Sequence, residues 1–436
     1  MALLRNLPAP ASDDVRIDLA EADAAHESSD FERELTAGRS AADRGLRQGA
    51  RLLVAQGRLA QAQAELRLGR SAEASRLVDS ARQLFVAGGD RNGEARALNR
   101  IANIEYEQGD YDEAKRVFRE AEKVLRTVGN LRDLATALNN VADTMMMQDD
   151  LASAAPVFAE ALDVTRERGD RVFEGFLMLN LGDLAYRKGD LVAAESMGTK
   201  GLELARASAR PYSIYMGLLA LGNVALAKDD RVGATMRFDE GLTLARRAGD
   251  RRYTGYMLTG LGDVAVADGR MADARRHHQE ALSIRSALGS DAEAAESRLA
   301  LALIAASEGR AQESVTEAAN ATQALKALRL QASECYGWSV AAVVSASAGR
   351  PAESRAASET AQRLLPSVQT VSRRLWIAIF LARADALQGG RDRAAAALRE
   401  TAAEAKRRGF TWLARESQRA LAGTQAASPP RANGGV

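Results

Sequence analysis

Very little in this chain is of the kind that builds disulfide scaffolds, metal centres or membrane spans. Its single cysteine, Cys335, among 436 residues excludes an internal disulfide framework and fits a reducing compartment. That thiol reads as a small apolar residue on a buried helix. His26, His277 and His278 are the only histidines. "RRHH" at 275–278 has a metal-like look, but neighbours on a helix diverge by about 100 degrees and no third His or Cys supports them. A basic solvated face with His278 partly buried is the better reading. Phosphate loops, Gly-x-Gly-x-x-Gly fingerprints, zinc-protease helices and Gly-x-Ser-x-Gly elbows are absent from the sequence. No cofactor, no metal and no enzymatic activity are therefore expected.

Charge of one sign is also missing: 59 basic and 58 acidic side chains leave a formal net charge of +1. No whole-chain field favours nucleic acid or an anionic membrane, so neither is expected as a direct partner. No stretch approaches the roughly 18 consecutive apolar residues of a membrane span. The opening "MALLRNLPAPASDD" has one Arg and no apolar run long enough for a signal peptide, so a cytoplasmic location is expected. Abundant Ala and Arg beside scarce Lys point to a bacterial, GC-rich source.

Glycine is where the pattern begins. Gly-Asp or a substitute recurs at Gly109-Asp110, Asp149-Asp150, Gly189-Asp190, Asp229-Asp230, Gly269-Arg270, Gly309-Arg310, Gly349-Arg350 and Gly389, in steps of 40. A second series offset by 20 runs through Gly89-Asp90, Gly129-Asn130, Gly169-Asp170, Gly249-Asp250 and Gly289-Ser290, with Ala209-Arg210 in the remaining phase. Between these breakers lie segments of about 17 residues, rich in Ala, Leu, Arg and Glu, with apolar residues at three and four. Glycine past a helix end takes the left-handed cap and the following Asp caps the next helix, so the chain reads as antiparallel helix pairs.

Small and large residues hold fixed places within each pair. The first helix has a small residue at Ala102, Ala142, Gly182, Gly222, Gly262 and Ala302, and the second has Ala114, Ala154, Ala194, Ala234, Ala274 and Ser314. A ring follows at Phe118, Phe158 and Phe238, then small residues at Ala121, Ala161, Gly201, Gly241, Ala281 and Ala321. Facing small residues let helices approach closely. This spacing resembles the tetratricopeptide repeat family, in its longer variant of about 40 residues as in kinesin light chains and the sensor modules of bacterial regulators. Departures are the absent terminal proline and Leu or Met at the family's tryptophan position. Gly198, His278, Ala318 and Ser358 stand where the phenylalanine is expected, which predicts looser packing there.

The resemblance implies an all-α, right-handed superhelical solenoid. By phase, about ten 40-residue helix pairs fill 12–409, a capping helix follows at 410–423, and 1–11 and 424–436 read as a linker-like entry and a disordered tail. Both ends are atypical, as a solenoid requires.

In that family the first helices line a concave groove that receives extended peptides or partner helices. Carried over position by position, Asn103, Asp143, Asp183, Asn223 and Asp263 project inward. Asn99, Asn139, Asn140 and Asn180 adjoin them, and an apolar and aromatic set, Tyr106, Phe176, Met216, Tyr256, Tyr336 and Trp376, runs alongside. Amides and carboxylates spaced this way can pair with the backbone of an extended segment. The alternative is that they bond adjacent helices and hold the superhelical pitch. From Leu303 onward the ladder turns apolar, so the middle third is the better groove. The resemblance thus implies an interaction scaffold for a protein or peptide. Two alternatives stand beside it: a sensor module whose effector domain is missing from this chain, and self-association through the end repeats.

Overall fold

The computed structural model describes residue 8 and residues 11–426, the side chains of 425 and 426 excepted. Residues 1–7, 9–10 and 427–436, which carry most of the predicted entry segment and tail, lie outside the described residues. Twenty-one α-helices fill the described chain, with 3-10 turns at Ala11–Asp13 and Leu365–Ser367. They alternate between an inner and an outer layer. The inner helices are α1 (Val15–Glu27), α3 (Arg51–Arg67), α5 (Arg91–Gln108), α7 (Leu131–Met147), α9 (Arg171–Lys188), α11 (Pro211–Ala227), α13 (Arg251–Asp268), α15 (Asp291–Ser307), α17 (Gln331–Ser347), α19 (Val371–Leu387) and α21 (Thr411–Ala426). The outer helices are α2 (Phe31–Arg47), α4 (Ser71–Ala87), α6 (Tyr111–Val128), α8 (Leu151–Glu167), α10 (Leu191–Ala207), α12 (Arg231–Arg247), α14 (Met271–Leu288), α16 (Ala311–Ala327), α18 (Pro351–Leu364) and α20 (Arg391–Arg407). Helix α21 runs through Gly423, where the sequence predicts its end, because Gly423 does not take the left-handed φ of the glycines that stop other helices.

The breaker pairs act as their chemistry requires. Asp90, Asp110, Asn130, Asp170 and Asp250 each accept a hydrogen bond from the backbone N–H three residues on, capping the next helix. Such a cap stabilises a helix by about 1 kcal/mol. The Phe ring of each outer helix is fully buried at Phe118, Phe158 and Phe238. Gly260 is small because Phe238 lies against it: a β-carbon there would come within 2.6 Å of the ring. Where the Phe becomes His278, the imidazole fills the same space, with a β-carbon on Gly262 only 2.6 Å from Nε2. It is 1 % exposed, more deeply buried than the sequence predicts, because the phenylalanine slot is a core slot.

Winding supplies what the repeat pattern does not specify. The solenoid turns tightly enough that residues 183 to 221 apart in sequence touch. Arg210 pairs with Glu27 at 2.7 Å, and Leu288 packs over Gly69. Asp149, at a left-handed φ of 62° where other units have glycine, accepts from the backbone N–H of Gln369 at 2.6 Å and from that of Thr370 at 3.1 Å. It also accepts from the Thr370 hydroxyl. An aspartate of one superhelical turn therefore anchors the two residues that lead into α19 in the next, and α19 has no side-chain cap of its own among the described residues. Asp229, with φ 67°, repeats the device by binding both its neighbour Arg231 and the distant Arg415. Left-handed Asp is disfavoured relative to glycine, and at both positions its carboxylate joins two turns.

Candidate functional site

Because successive turns touch, the inner helices surround a cavity of about 800 Å³. Its wall carries Asn103, Asn139, Asn140, Asp143, Phe176, Asn180, Asp183, Asn223, Tyr256 and Asp263. The remaining sequence candidate, Asn99, is not on the wall. It shares its register with Asn139, which does reach the wall, so helical phase alone does not keep it out. Asn99 is buried, and its Oδ1 has no hydrogen-bond partner among the described residues. Of the aromatic set, Tyr106, Phe176, Met216 and Tyr256 reach the cavity. Tyr336 and Trp376 pack instead against Phe380, with ring centroids 5.9 and 5.3 Å away.

The amide ladder is partly committed to the fold. Asn180 Nδ2 donates to Asn139 Oδ1 at 2.7 Å, and Asn139 Nδ2 donates to Asn140 Oδ1 at 3.2 Å. Asp183 accepts from Arg187 at 2.9 Å, and Arg187 also donates to the Met146 carbonyl on the preceding unit. Asn103 and Asn223 face the cavity without a side-chain hydrogen bond among the described residues. The pitch-holding alternative thus describes the rungs at Asn139, Asn140, Asn180 and Asp183, while Asn103 and Asn223 are left facing the open interior.

Arginine and tyrosine complete the wall, and the sequence reading missed most of them. Arg252 sits between Glu107 and Glu293, with the Tyr106 ring centroid at 4.9 Å and that of Tyr256 at 5.7 Å. Arg67 lies over the Tyr212 ring at 4.9 Å, beside a cluster in which Tyr215 donates to Asp250 at 2.8 Å. Arg67–Tyr212 and Glu107–Arg252 each join helices 145 residues apart, so the cation–π and ion pairs close the seam between turns. A signal for these residues existed: Arg100 has the register of Asn140 and Asn180, and Arg252 that of Arg132.

Depth alters the ionisation of the wall. Burial pushes the Asp263 carboxyl up to about 7; nearby Glu296 adds to the rise and Arg285 opposes it. Its neighbour His278, with Nε2 3.6 Å from Asp263, is driven down to about 3 by burial, so it offers no positive charge near neutral pH. Asp143 is raised by burial although the Tyr106 hydroxyl bonds to it. Burial lowers the Arg100 guanidinium, Glu34 opposes that, and Arg67 reinforces it.

Among the described residues no group of three His, Cys, Asp or Glu side chains is placed to hold a metal ion. No helix there is long and apolar enough to cross a membrane.

Comparison with known proteins bears on the fold. A family described as the MalT-like TPR region matches residues 95–240, and one described as the tetratricopeptide repeat matches residues 50–127. No curated protein matches the chain. Among solved structures, one similar chain is a signal transduction ATPase with numerous domains and a tetratricopeptide repeat sensor from Pyrococcus horikoshii. Identity is 16%, with a TM-score of 0.46, over 79% of this chain and 54% of that one, so this chain spans about half of that protein's length. Aspartyl phosphate phosphatase F from Bacillus subtilis is similar at 14% identity, TM-score 0.48, over 84% of this chain and 97% of that one. A Rap protein complexed with competence and sporulation factor is similar at 11% identity, TM-score 0.47, over 94% and 98%. The two family matches identify tetratricopeptide repeats over residues 50–240, and the 40-residue helix pairs with their buried small-residue and Phe contacts continue the same pattern along the described chain.

Proposed function

We propose that this chain is a receptor module that takes a short, extended peptide into the interior of its superhelix. The observation behind this reading is that inner helices from nearly every unit turn charged, amide and aromatic side chains onto one enclosed space. Its volume of about 800 Å³ falls within the range of sites that enclose small ligands. An extended segment is the preferred occupant because its backbone groups are free to pair with the wall, whereas those of a helix are already paired within it. Asn103 and Asn223, which have no side-chain hydrogen bond among the described residues, supply backbone-directed donors and acceptors.

A regulatory sensor is the second reading, and the inter-turn clasps favour it. A ligand that binds better to one degree of winding shifts the population of that state, and Asp149 and Asp229 sit where such a shift makes or breaks contacts.

The test is affinity selection of peptides from the low-mass fraction of a native extract, read by mass spectrometry. Wild type is compared with a variant carrying Asn103→Ala and Asn223→Ala, side chains that make no hydrogen bond among the described residues. Peptides retained by wild type and lost by a helical variant support the interior site. Equal retention by both contradicts it.

A further inference from the structure

The seam between superhelical turns has two unlike sides. One is the row of corners that lead from an inner helix to the next outer helix, at Gly69, Gly109 and Gly189, with Asp149 and Asp229 at the corners between and beyond. The other is the row that leads from an outer helix to the next inner one. There Leu288, which ends α14, packs over Gly69, Leu328 faces Gly109, and Val371, which opens α19, packs over Gly189. Tyr212, second in α11, takes Arg67 on its ring. A glycine corner is the hole and an apolar side chain the knob.

Half of each row is left over. The inner-to-outer corners Gly269, Gly309, Gly349 and Gly389 keep the left-handed φ, and no described residue comes within 4 Å of a β-carbon placed there. Beside the last of them Leu387 is exposed. Arginines on this rim are matched within it, Arg270 by Asp268 and Asp273 and Arg350 by Glu353, so the rim repels neither sign of charge.

At the other end of the superhelix, the outer-to-inner corners of the first four units are free. They expose Leu52, Val128, Leu131 and Val172, in the registers that fill the seam. Val128 ends α6 as Leu288 ends α14, and Leu131 opens α7 as Val371 opens α19. Leu52 and Val172 are second in α3 and α9, as Tyr212 is in α11. Single exposed apolar residues are ordinary on a protein surface. Apolar residues at seam registers on one rim, with open glycine corners on the other, are two unsatisfied halves of one contact.

We propose that copies of this chain dock end to end, the rim of Leu52, Val128, Leu131 and Val172 seating on the open glycine rim of the next copy and repeating the seam between chains. The contact is heterologous, so each added copy presents a fresh rim and growth runs past a dimer. It does not depend on what the interior binds.

Sedimentation velocity of the full chain over a series of concentrations tests this. Wild type is expected to show species larger than a dimer whose share grows with concentration. Val128→Glu with Leu131→Glu, at exposed positions, is expected to weaken association more than about 10-fold, because a charge enters a dry contact. Gly309→Asn with Gly349→Asn should do the same, since asparagine tolerates the left-handed φ and fills the hole. Mixed together, the two variants should join once, through the one sound rim of each, and stop at a dimer. Thermal midpoints near that of wild type establish that both variants fold. Mixed variants that fail to join overturn the head-to-tail contact. So does assembly that survives both rim variants and is lost in Val232→Glu, which would move the contact to an exposed apolar position on outer helix α12. A wild-type chain that stays monomeric overturns the proposal as well. If Leu3→Gln, Leu4→Gln and Leu7→Gln then release assembly, the occupant of the apolar rim is the entry segment, which joins the fold there through Gln48 donating to the Asp13 carbonyl at 3.0 Å.

Discussion

The outer and inner helices are built from the same few residue types, yet identical charges on them have different consequences. On outer helix α6, Arg116 bonds Glu113 at 2.6 Å and Glu120 at 3.4 Å with its side chain well exposed. Pairs of that kind contribute about 0–1 kcal/mol. On inner helix α13, Arg252 has similar partners, but its side chain is 15 % exposed and the carboxylates of Glu107 and Glu293 are 21 % and 13 % exposed. There, removal of one partner strands the others. In this fold the layer a residue occupies decides whether its charge is solvated or must find a partner.

That contrast can be broken at several points. Phe238→Ala, in the core shared by α11, α12 and α13, is expected to lose about 3–5 kcal/mol of stability in urea unfolding. Arg252→Ala should cost about 3 kcal/mol because Glu107 and Glu293 lose their cation, whereas Arg116→Ala on the outer face should cost under about 1 kcal/mol. Equal costs for the two arginines would remove the distinction between layers.

The clasp comes next in size. Asp149→Ala removes an acceptor of two backbone N–H groups and a hydroxyl and should cost about 1.5–3 kcal/mol. Small-angle scattering should show a longer particle. Asp149→Gly should lose less, since glycine takes the left-handed φ without strain.

The smallest effect concerns pH. The folded pKa of Asp263, about 7, lies above its ordinary value of 3.8, so the native state holds the proton more tightly than the unfolded one. This favours the fold fully below about pH 4, and the contribution is lost as pH rises toward 7. Asp263→Asn should flatten stability against pH in that window. Arg285, Glu296, Arg373, Tyr186, Tyr256 and Tyr336 also face this region, and His278, lowered from 6.5 to about 3 by burial, acts in the opposite direction over an overlapping window, so the test reads the difference between variant and wild type. A slope unchanged in the variant would place the titration elsewhere.

Much of this fold is written locally. Each unit repeats its own helix stop, cap and small-residue contact, so Gly189-Asp190 or Gly260 beside Phe238 can be read without knowing the rest of the chain. The inward phase is local too, and it brought ten of the eleven candidate residues to one wall. Winding is not local. Whether the solenoid closes depends on small packing angles summed over units and on contacts between residues up to 221 apart. Asp149 and Asp229 accordingly look in the sequence like mere substitutes for glycine. Arg100 and Arg252 share their registers with amides and tyrosines, and only the closed cavity reveals which of them lacks a partner.

Hydrogen–deuterium exchange of the full chain, with and without a hexapeptide selected by it, tests the central claim most directly. An interior site predicts added protection on inner helices α5, α7 and α9, with the outer helices α6, α8 and α10 unchanged. Protection confined to the outer helices would contradict it and place binding on the convex face.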